Sequence, residues 1–309
     1  MPAPPGGLRV FFFSLSGAGP SFTLVCLLYS YYTRRIRFSY HLTMKTFIPI
    51  CIVLFLLACF TREGYAQQSF EAIRSYRAEE AGQGVAVDSR YFYAIGSRAI
   101  GKYEKESGRR VKQWQGASDG PIRHLDSGVI RKGKLYAAHS NYPGIPMTSS
   151  VEIWDCRTLT HIGTHSFGIR WGSLTWLDWH EGHWWGVFAH YQEFADELGQ
   201  DKRWTSLVQF NKDWEATQSW VFPQEVLNKF GAMSNSGGSW GPDGLLYISG
   251  HDLPEVYVLQ VPQAGSVLQL VDTLLVDSNG QGMAWDRSQP GMLYTIKRAS
   301  GQVVVSQSR

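Results

Sequence analysis

Cysteine and charge are both scarce in this chain. It has four cysteines in 309 residues, and charged residues make up 18%. Four cysteines exclude a disulfide-built scaffold, and the low charge with 44% hydrophobic residues excludes a disordered chain. No long amphipathic helix is readable, which excludes a helical bundle or coiled coil. There is no nucleophile elbow and no zinc HExxH pattern. The glycine-rich run 231–244 does not lead into a helix, so it is no phosphate loop. The formal net charge of +3 is misleading about partners, because six Lys/Arg and a single acid fall in residues 1–66. Residues 67–309 carry 23 Lys/Arg against 25 Asp/Glu, a net of −2. Such a surface has no electrostatic pull on nucleic acid or anionic lipid, and no nucleic-acid partner is expected.

What is abundant begins with apolar sequence near the start. Residues 10–33 are uncharged and long enough to span a bilayer, and Arg34, Arg35 and Arg37 follow. A second pattern starts at Met44-Lys45. It continues as an apolar core over Phe47–Phe60 and ends in Gly64-Tyr65-Ala66 before Gln67-Gln68. Charged, apolar and cleavage regions in that order make a secretory signal at 44–66. The expectation is a start at Met44, with 1–43 as an upstream extension, and a periplasmic or secreted product. Two alternatives stand beside it: a two-span hairpin with a cytoplasmic loop at 34–45, and a lipoprotein anchored at Cys59 in Leu56-Leu-Ala-Cys59. Cleavage after Ala66 leaves Cys156 alone, in the alternating run Val151–Cys156, where a core role is expected.

Residues 67–309 repeat. Gln83-Gly-Val-Ala-Val-Asp88 recurs as Gln281-Gly-Met-Ala-Trp-Asp286, each followed by a turn and two short alternating runs. Lys132-Gly-Lys-Leu-Tyr136, Glu181-Gly-His-Trp-Trp185 and Asp243-Gly-Leu-Leu-Tyr247 open three more copies. With Tyr93, Tyr136, Trp185, Tyr247 and Tyr294 equivalent, the steps are 43, 49, 62 and 47 residues. Short β-rich runs, four to a period, mark propeller blades. The long step contains the polar insertion 192–203, read as a helical surface excursion, and Val226–Phe230 is read as a further turn of helix. The last copy ends one strand short, while the alternating Ser69–Tyr76 has no other partner. The expected fold is all-β: a five-bladed β-propeller over 67–309 whose N-terminal strand closes the last blade, with six blades as the alternative.

Strand alternation then sorts side chains by face. The starts of first strands and the ends of second strands share a face. Those ends hold His139, His190, His251-Asp252 and Lys297-Arg298, and the segments leading into first strands add Gln83, His124, Arg170-Trp171, Ser234–Gly238 and Gln281. The expectation is a polar pocket at the channel mouth. His139, His190 and His251 would serve there as acid–base groups or as ligands to a divalent metal. Lys297 or Arg298 would hold a carboxylate. Trp176, Trp184 and Trp185 are read as blade packing, and His180 and His183 as residues of a solvated turn on the other face. The segments leading into first strands show no evident Asp/Glu pair, which argues against a glycosidase.

The runs Gly82–Asp88 and Ile100–Gly108 resemble the broad set of lactonase-like and NHL-like propellers. Residues 234–262, SNSGGSWGPDGLLYISGHDLPEVYVLQVP, are similar to exported bacterial propellers labelled cycloisomerase. That resemblance implies lactone ring opening or closing. More distantly, Gln83-Gly84 resembles the plant-type glutaminyl cyclases, whose Ser-Thr-Gly run is replaced here by Ala94-Ile-Gly-Ser-Arg98. The readings carried forward are an isomerase or hydrolase acting on a small cyclic ester or sugar-derived acid, a non-catalytic module binding a glycan or protein, and, as the second resemblance implies, a glutaminyl-cyclase-like acyltransferase. A small-molecule or carbohydrate ligand and a monomeric state are expected.

Overall fold

The computed structural model describes residues 69–309. They belong to the second of two units into which the chain divides, 65–309; the first is 1–64. The signal expected at 44–66, the extension 1–43 and Cys59 lie outside the described residues.

Five antiparallel four-stranded sheets form the five blades of a β-propeller. Blade 1 comprises Gly84–Val87, Tyr91–Gly96, Ala99–Glu104 and Arg110–Gln115. Blade 2 comprises His124–Arg131, Lys134–Ser140, Ser149–Asp155 and Thr160–Gly168. Blade 3 comprises Ser173–His180, His183–Ala189, Ser206–Phe210 and Ala216–Val221. Blade 4 comprises Gly237–Trp240, Leu246–Ser249, Glu255–Gln260 and Gln269–Leu275. Blade 5 comprises Ala284–Trp285, Met292–Lys297, Gln302–Ser308 and, as its outer strand, Phe70–Arg77. No sixth blade is hidden in the insertion. It forms Ala195–Leu198 flanked by two short 3-10 turns, and the turn of helix expected near Val226 is Gln224–Lys229.

Local chemistry sets the hairpins. Lys132-Gly133 and Glu181-Gly182 both have positive φ at their two central positions, the type I′ geometry whose twist matches the flanking strands. In blades 1 and 4 an aspartate does this work. Asp88 accepts from the Arg90 and Tyr91 amides, and Asp243 accepts from the Leu245 amide. Their second oxygens receive the hydroxyls of Tyr93 at 3.0 Å and Tyr247 at 2.7 Å. The repeated tyrosine therefore braces the repeated turn.

First strands are buried on both faces and outer strands alternate, as in GVAV against THIGTHSFG. The core lies between blades. Trp176, Trp185, Trp220 and Trp240 fill the space around blades 3 and 4, and Trp184 stacks on Trp214 within blade 3. Burying such side chains contributes about 2–3 kcal/mol each. Cys156 is buried near Tyr93 and Trp154, and burial pushes its thiol up to about 11. The expected core role holds.

Ring closure uses Phe70–Arg77, paired with the third strand of blade 5 from Phe70↔Ser308 to Arg77↔Gln302. Tyr76 packs on Phe92 of blade 1 at 4.8 Å. Phe70 packs on Tyr247 of blade 4 at 6.4 Å. Lys105 of blade 1 meets the buried Asp286 of blade 5 at 2.6 Å.

At the axis, first strands touch. A Cβ on Gly84 would lie 2.7 Å from the Ser127 Cα, and one on Gly282 would lie 2.6 Å from the Gly84 Cα. The Gly282 amide donates to the Gln83 carbonyl at 2.8 Å. Glycine is thus required in both Gln-Gly pairs for blade contact, which frees the glutamines to face the channel mouth.

Candidate functional site

A cavity of about 100 Å³ occupies that mouth, and every blade contributes to its wall. Blade 1 supplies Gln83, and blade 5 supplies Gln281 and Arg298. Blade 2 supplies His124, Asp126 and Tyr142, blade 3 Thr175 and Tyr191, and blade 4 Met233, Ser236 and His251.

Two β-bulges aim side chains inward. In blade 2 the register runs Leu125↔His139 and resumes at Gly128↔Ala137, leaving Asp126 and Ser127 out of step. In blade 3 it skips from Leu174↔Phe188 to Trp176↔Val187, leaving Thr175 out of step. A bulge redirects a side chain that plain alternation would send elsewhere. Asp126 and Thr175 line the cavity for this reason.

Asp126 is the central group. It is 4% exposed. Its Oδ1 lies 3.6 Å from the His124 Nε2, and its Oδ2 is buried without a hydrogen-bond partner. Burial works against protonating His124, but the charge and hydrogen bond of Asp126 outweigh it, so the imidazole titrates above its ordinary value. The positive charges of Arg98 and Arg298 also reach His124 and oppose its protonation. The ring is held from behind by a polar chain. Gln83 Nε2 donates to Ser97 Oγ at 3.1 Å, and Ser97 Oγ lies 3.4 Å from His124 Nδ1.

The opposite rim carries Arg298. Its Nη1 donates to His251 Nε2 at 3.1 Å, so that nitrogen holds a lone pair and Nδ1 carries the hydrogen, donated to Asp252 at 2.6 Å. Among the described residues Arg298 has no carboxylate partner. Arg98, half-buried, has its Nε buried without a partner. The insertion completes the wall. Glu193 accepts from the Tyr142 hydroxyl at 2.9 Å, and Phe194 packs on Tyr142 and Tyr191. Burial first, and then the Glu193 bond, push the Tyr142 phenol up to about 12.

Of the residues expected at the mouth, Gln83, His124, His251, Gln281 and Arg298 line the cavity. The other expectations need correction. His139 and His190 are not brought together with His251. The Arg123 amide donates to His139 Nε2 at 3.0 Å, and His139 Nδ1 donates to Ser150, which donates to Glu152 at 2.6 Å. His190 Nε2 donates to the Trp171 carbonyl at 3.1 Å. Burial lowers both imidazoles below their ordinary range, so both are neutral loop anchors. Their offsets from the repeated aromatic are three residues from Tyr136 and five from Trp185, against four from Tyr247 to His251. Among the described residues no group of three or more His, Cys, Asp or Glu is placed to hold a metal ion. The proposed His139–His190–His251 metal site is therefore not formed. Lys297 turns to Asp277 at 2.6 Å, Asp252 serves His251, and Arg170 and Trp171 line a different concavity. Sequence reasoning missed Asp126, Tyr142, Thr175, Tyr191 and Met233, while Ser236, within the expected Ser234–Gly238 segment, lines the cavity. An acid inside the apolar run Leu125–Ile130 was the available signal.

No protein-family model and no curated protein matches the chain. Among solved structures it is similar to the PQQ-bound aldose sugar dehydrogenase of Streptomyces coelicolor. That match has a TM-score of 0.51 and 9% identity, covering 79% of this chain and 99% of that one. The WD40 repeats of RRP9 match with a TM-score of 0.42 at 11% identity, over 78% and 98% of the two chains. At these identities the likeness is one of fold: the chain is a β-propeller.

Proposed function

We propose that this protein takes a small sugar-derived acid or its cyclic ester into the channel mouth and moves protons on it through Asp126 and His124. The observation that carries this reading is the buried Asp126, which lines the cavity with its Oδ2 unpartnered, beside an imidazole whose pKa that same carboxylate raises. A buried acceptor without a donor is costly unless a ligand or water completes it. A carboxylate and an imidazole held side by side can divide base and acid roles.

For lactone opening the roles follow from protonation state. Asp126 Oδ2 accepts a proton from the water that adds to the acyl carbon. The His124 imidazolium gives its proton to the ring oxygen as the acyl C–O bond breaks. The product is a hydroxy acid, and its carboxylate, like that of an acidic substrate, is met by the Arg298 guanidinium. Gln83, Thr175, Ser236 and Gln281 offer hydrogen bonds to hydroxyls. The resemblance to lactonase-like propellers favours the same substrate class, and the ordered signal at 44–66 supports action outside the cytoplasm.

The test is turnover of a panel of aldonolactones, followed by proton release, with Asp126→Asn and His124→Gln beside the unchanged protein. Turnover reduced about 100-fold or more in both variants, the usual weight of a positioned acid or base, supports the assignment. No turnover, with aldonates raising the melting temperature, selects the non-catalytic binding reading instead. Absence of both turnover and a melting shift refutes the proposal.

A further inference from the structure

Arg170 and Trp171 take no part in the channel pocket, yet they line the larger concavity of the domain. It has a volume of about 410 Å³ and lies between the outer strand of blade 2 and the last hairpin of blade 3. It shares no residue with the channel mouth.

Its floor is aromatic and fixed. Phe167 and Phe210 lie 5.1 Å apart, and Trp171 meets Phe210 edge to face at 6.5 Å. Trp214 is sandwiched between Trp184 at 4.5 Å and His165 at 5.3 Å, nearly parallel to both. Trp214 also has φ 67°, the left-handed region that a bulky side chain seldom adopts. The corresponding hairpin of blade 1 uses Gly108 there, also at φ 67°. Stacking therefore holds a strained tryptophan where glycine would suffice for the turn.

The rim is polar. Burial lowers the His165 pKa, so it presents a neutral ring. Glu215 is exposed, and its Oε2 accepts from Asn211 Nδ2 at 2.7 Å. The exposed Arg170 guanidinium lies 4.8 Å above the Trp171 ring and, among the described residues, has no acidic partner. A partly exposed aromatic wall edged by hydrogen-bonding groups complements a sugar ring, whose C–H face is apolar and whose hydroxyls project sideways. An unpaired guanidinium over that wall adds a site for a carboxylate.

We propose that this groove is a second binding site, for a hexuronic acid: the sugar packs against the half-buried Trp171 and the edge of Trp214, and Arg170 pairs with its carboxylate. The site is independent of the channel pocket.

The experiment is titration with glucuronate, glucose and a tetragalacturonate, followed by tryptophan fluorescence and by amide NMR shifts around 165–171 and 210–216. Arg170→Gln, on the surface, and Trp171→Ala are compared with the unchanged protein, and Asp126→Asn serves as the channel-pocket control. The expected result is acid binding at least tenfold tighter than glucose. Arg170→Gln should abolish that preference, Trp171→Ala should weaken binding tenfold or more, and Asp126→Asn should leave it unchanged. Tighter binding of the tetramer assigns the groove to a polysaccharide, and equal affinity assigns it to the free acid. Failure of both acids to bind overturns the proposal, as does binding unaltered in Arg170→Gln. Shifts confined to the channel residues, and lost in Asp126→Asn, would also overturn it.

Discussion

Arg287 Nη2 lies 2.8 Å from each carboxylate oxygen of Asp178, joining blade 5 to blade 3 at the far end of the first strands from the pocket. Asp178 is buried and also accepts from the Trp240 amide at 2.9 Å and from Ser239 Oγ at 3.1 Å. The pair joins two blades that are not neighbours in the ring.

The two partners are unequal. Arg287 is about half exposed and Asp178 is not, so water replaces much of what Arg287→Ala removes. We expect Arg287→Ala to cost about 1 kcal/mol, the upper range of an exposed pair. Asp178→Ala orphans the Trp240 amide as well and should cost about 3 kcal/mol, as when a buried network loses its acceptor. Urea unfolding measures both. Equal losses would mean that the inter-blade pair, and not the hydrogen bonds of Asp178 within the sheet edge, carries the energy.

The pH behaviour of His124 has a definite sign. Its folded pKa lies above the unfolded value, so its contribution to stability is fully present below the unfolded pKa and is lost as pH rises through the folded one. The proposed acid role should fade over the same rise. An NMR titration should give His124 a midpoint above 6.5. Asp126→Asn removes the raising charge while burial remains, and should bring the midpoint below that value. A midpoint unmoved by Asp126→Asn would remove Asp126 as the cause.

His139 should behave in the opposite way. Its folded pKa is depressed by burial, so the stability it contributes is present above the unfolded pKa and is lost as pH falls through the window below 6.5. Because His139 accepts from the Arg123 amide and leads through Ser150 to Glu152, His139→Ala leaves the Arg123 amide without its acceptor and Ser150 with its bond to Glu152 alone. About 2 kcal/mol of stability should be lost, together with order in the segment that carries His124. Calorimetry and hydrogen exchange at residues 122–126 check this. A variant as stable as the parent would make His139 a free rim residue.

The fold was legible because its signals are local. Tyrosines such as Tyr93 and Tyr247 brace turns that recur, and Ser69–Tyr76 alternates with no other partner in the sequence. The site was legible only in part. Gln83 and Gln281 announce themselves because each precedes a glycine that blade contact requires. Asp126 and Thr175 do not, because a bulge breaks the period-two rule by which faces are assigned. The histidines misled because a one-residue difference in offset decides whether a ring enters the channel or turns back into its own blade. His139 and His190 turned back.

Ring closure gives the sharpest stability test. Phe70–Arg77 is the outer strand of blade 5 and also reaches both neighbours, through Phe70 to blade 4 and Tyr76 to blade 1. Deleting residues 69–76 removes both aromatic contacts and leaves Gln302–Ser308 as an unpaired edge. Exposed edges recruit other chains. Loss of a buried aromatic costs about 3–5 kcal/mol, a large share of the roughly 5–15 kcal/mol that holds a domain together. The truncated protein should melt well below the parent or aggregate at concentrations where the parent does not. Tyr76→Phe separates the contributions: it keeps the ring stack on Phe92 and loses the two bonds of the hydroxyl, donated to the Lys105 carbonyl and accepted from Arg74 Nη1. Its cost should be about 1–2 kcal/mol, that of one or two hydrogen bonds. If the truncation were no more harmful than this one substitution, the strand would be an ornament on a ring closed by packing alone.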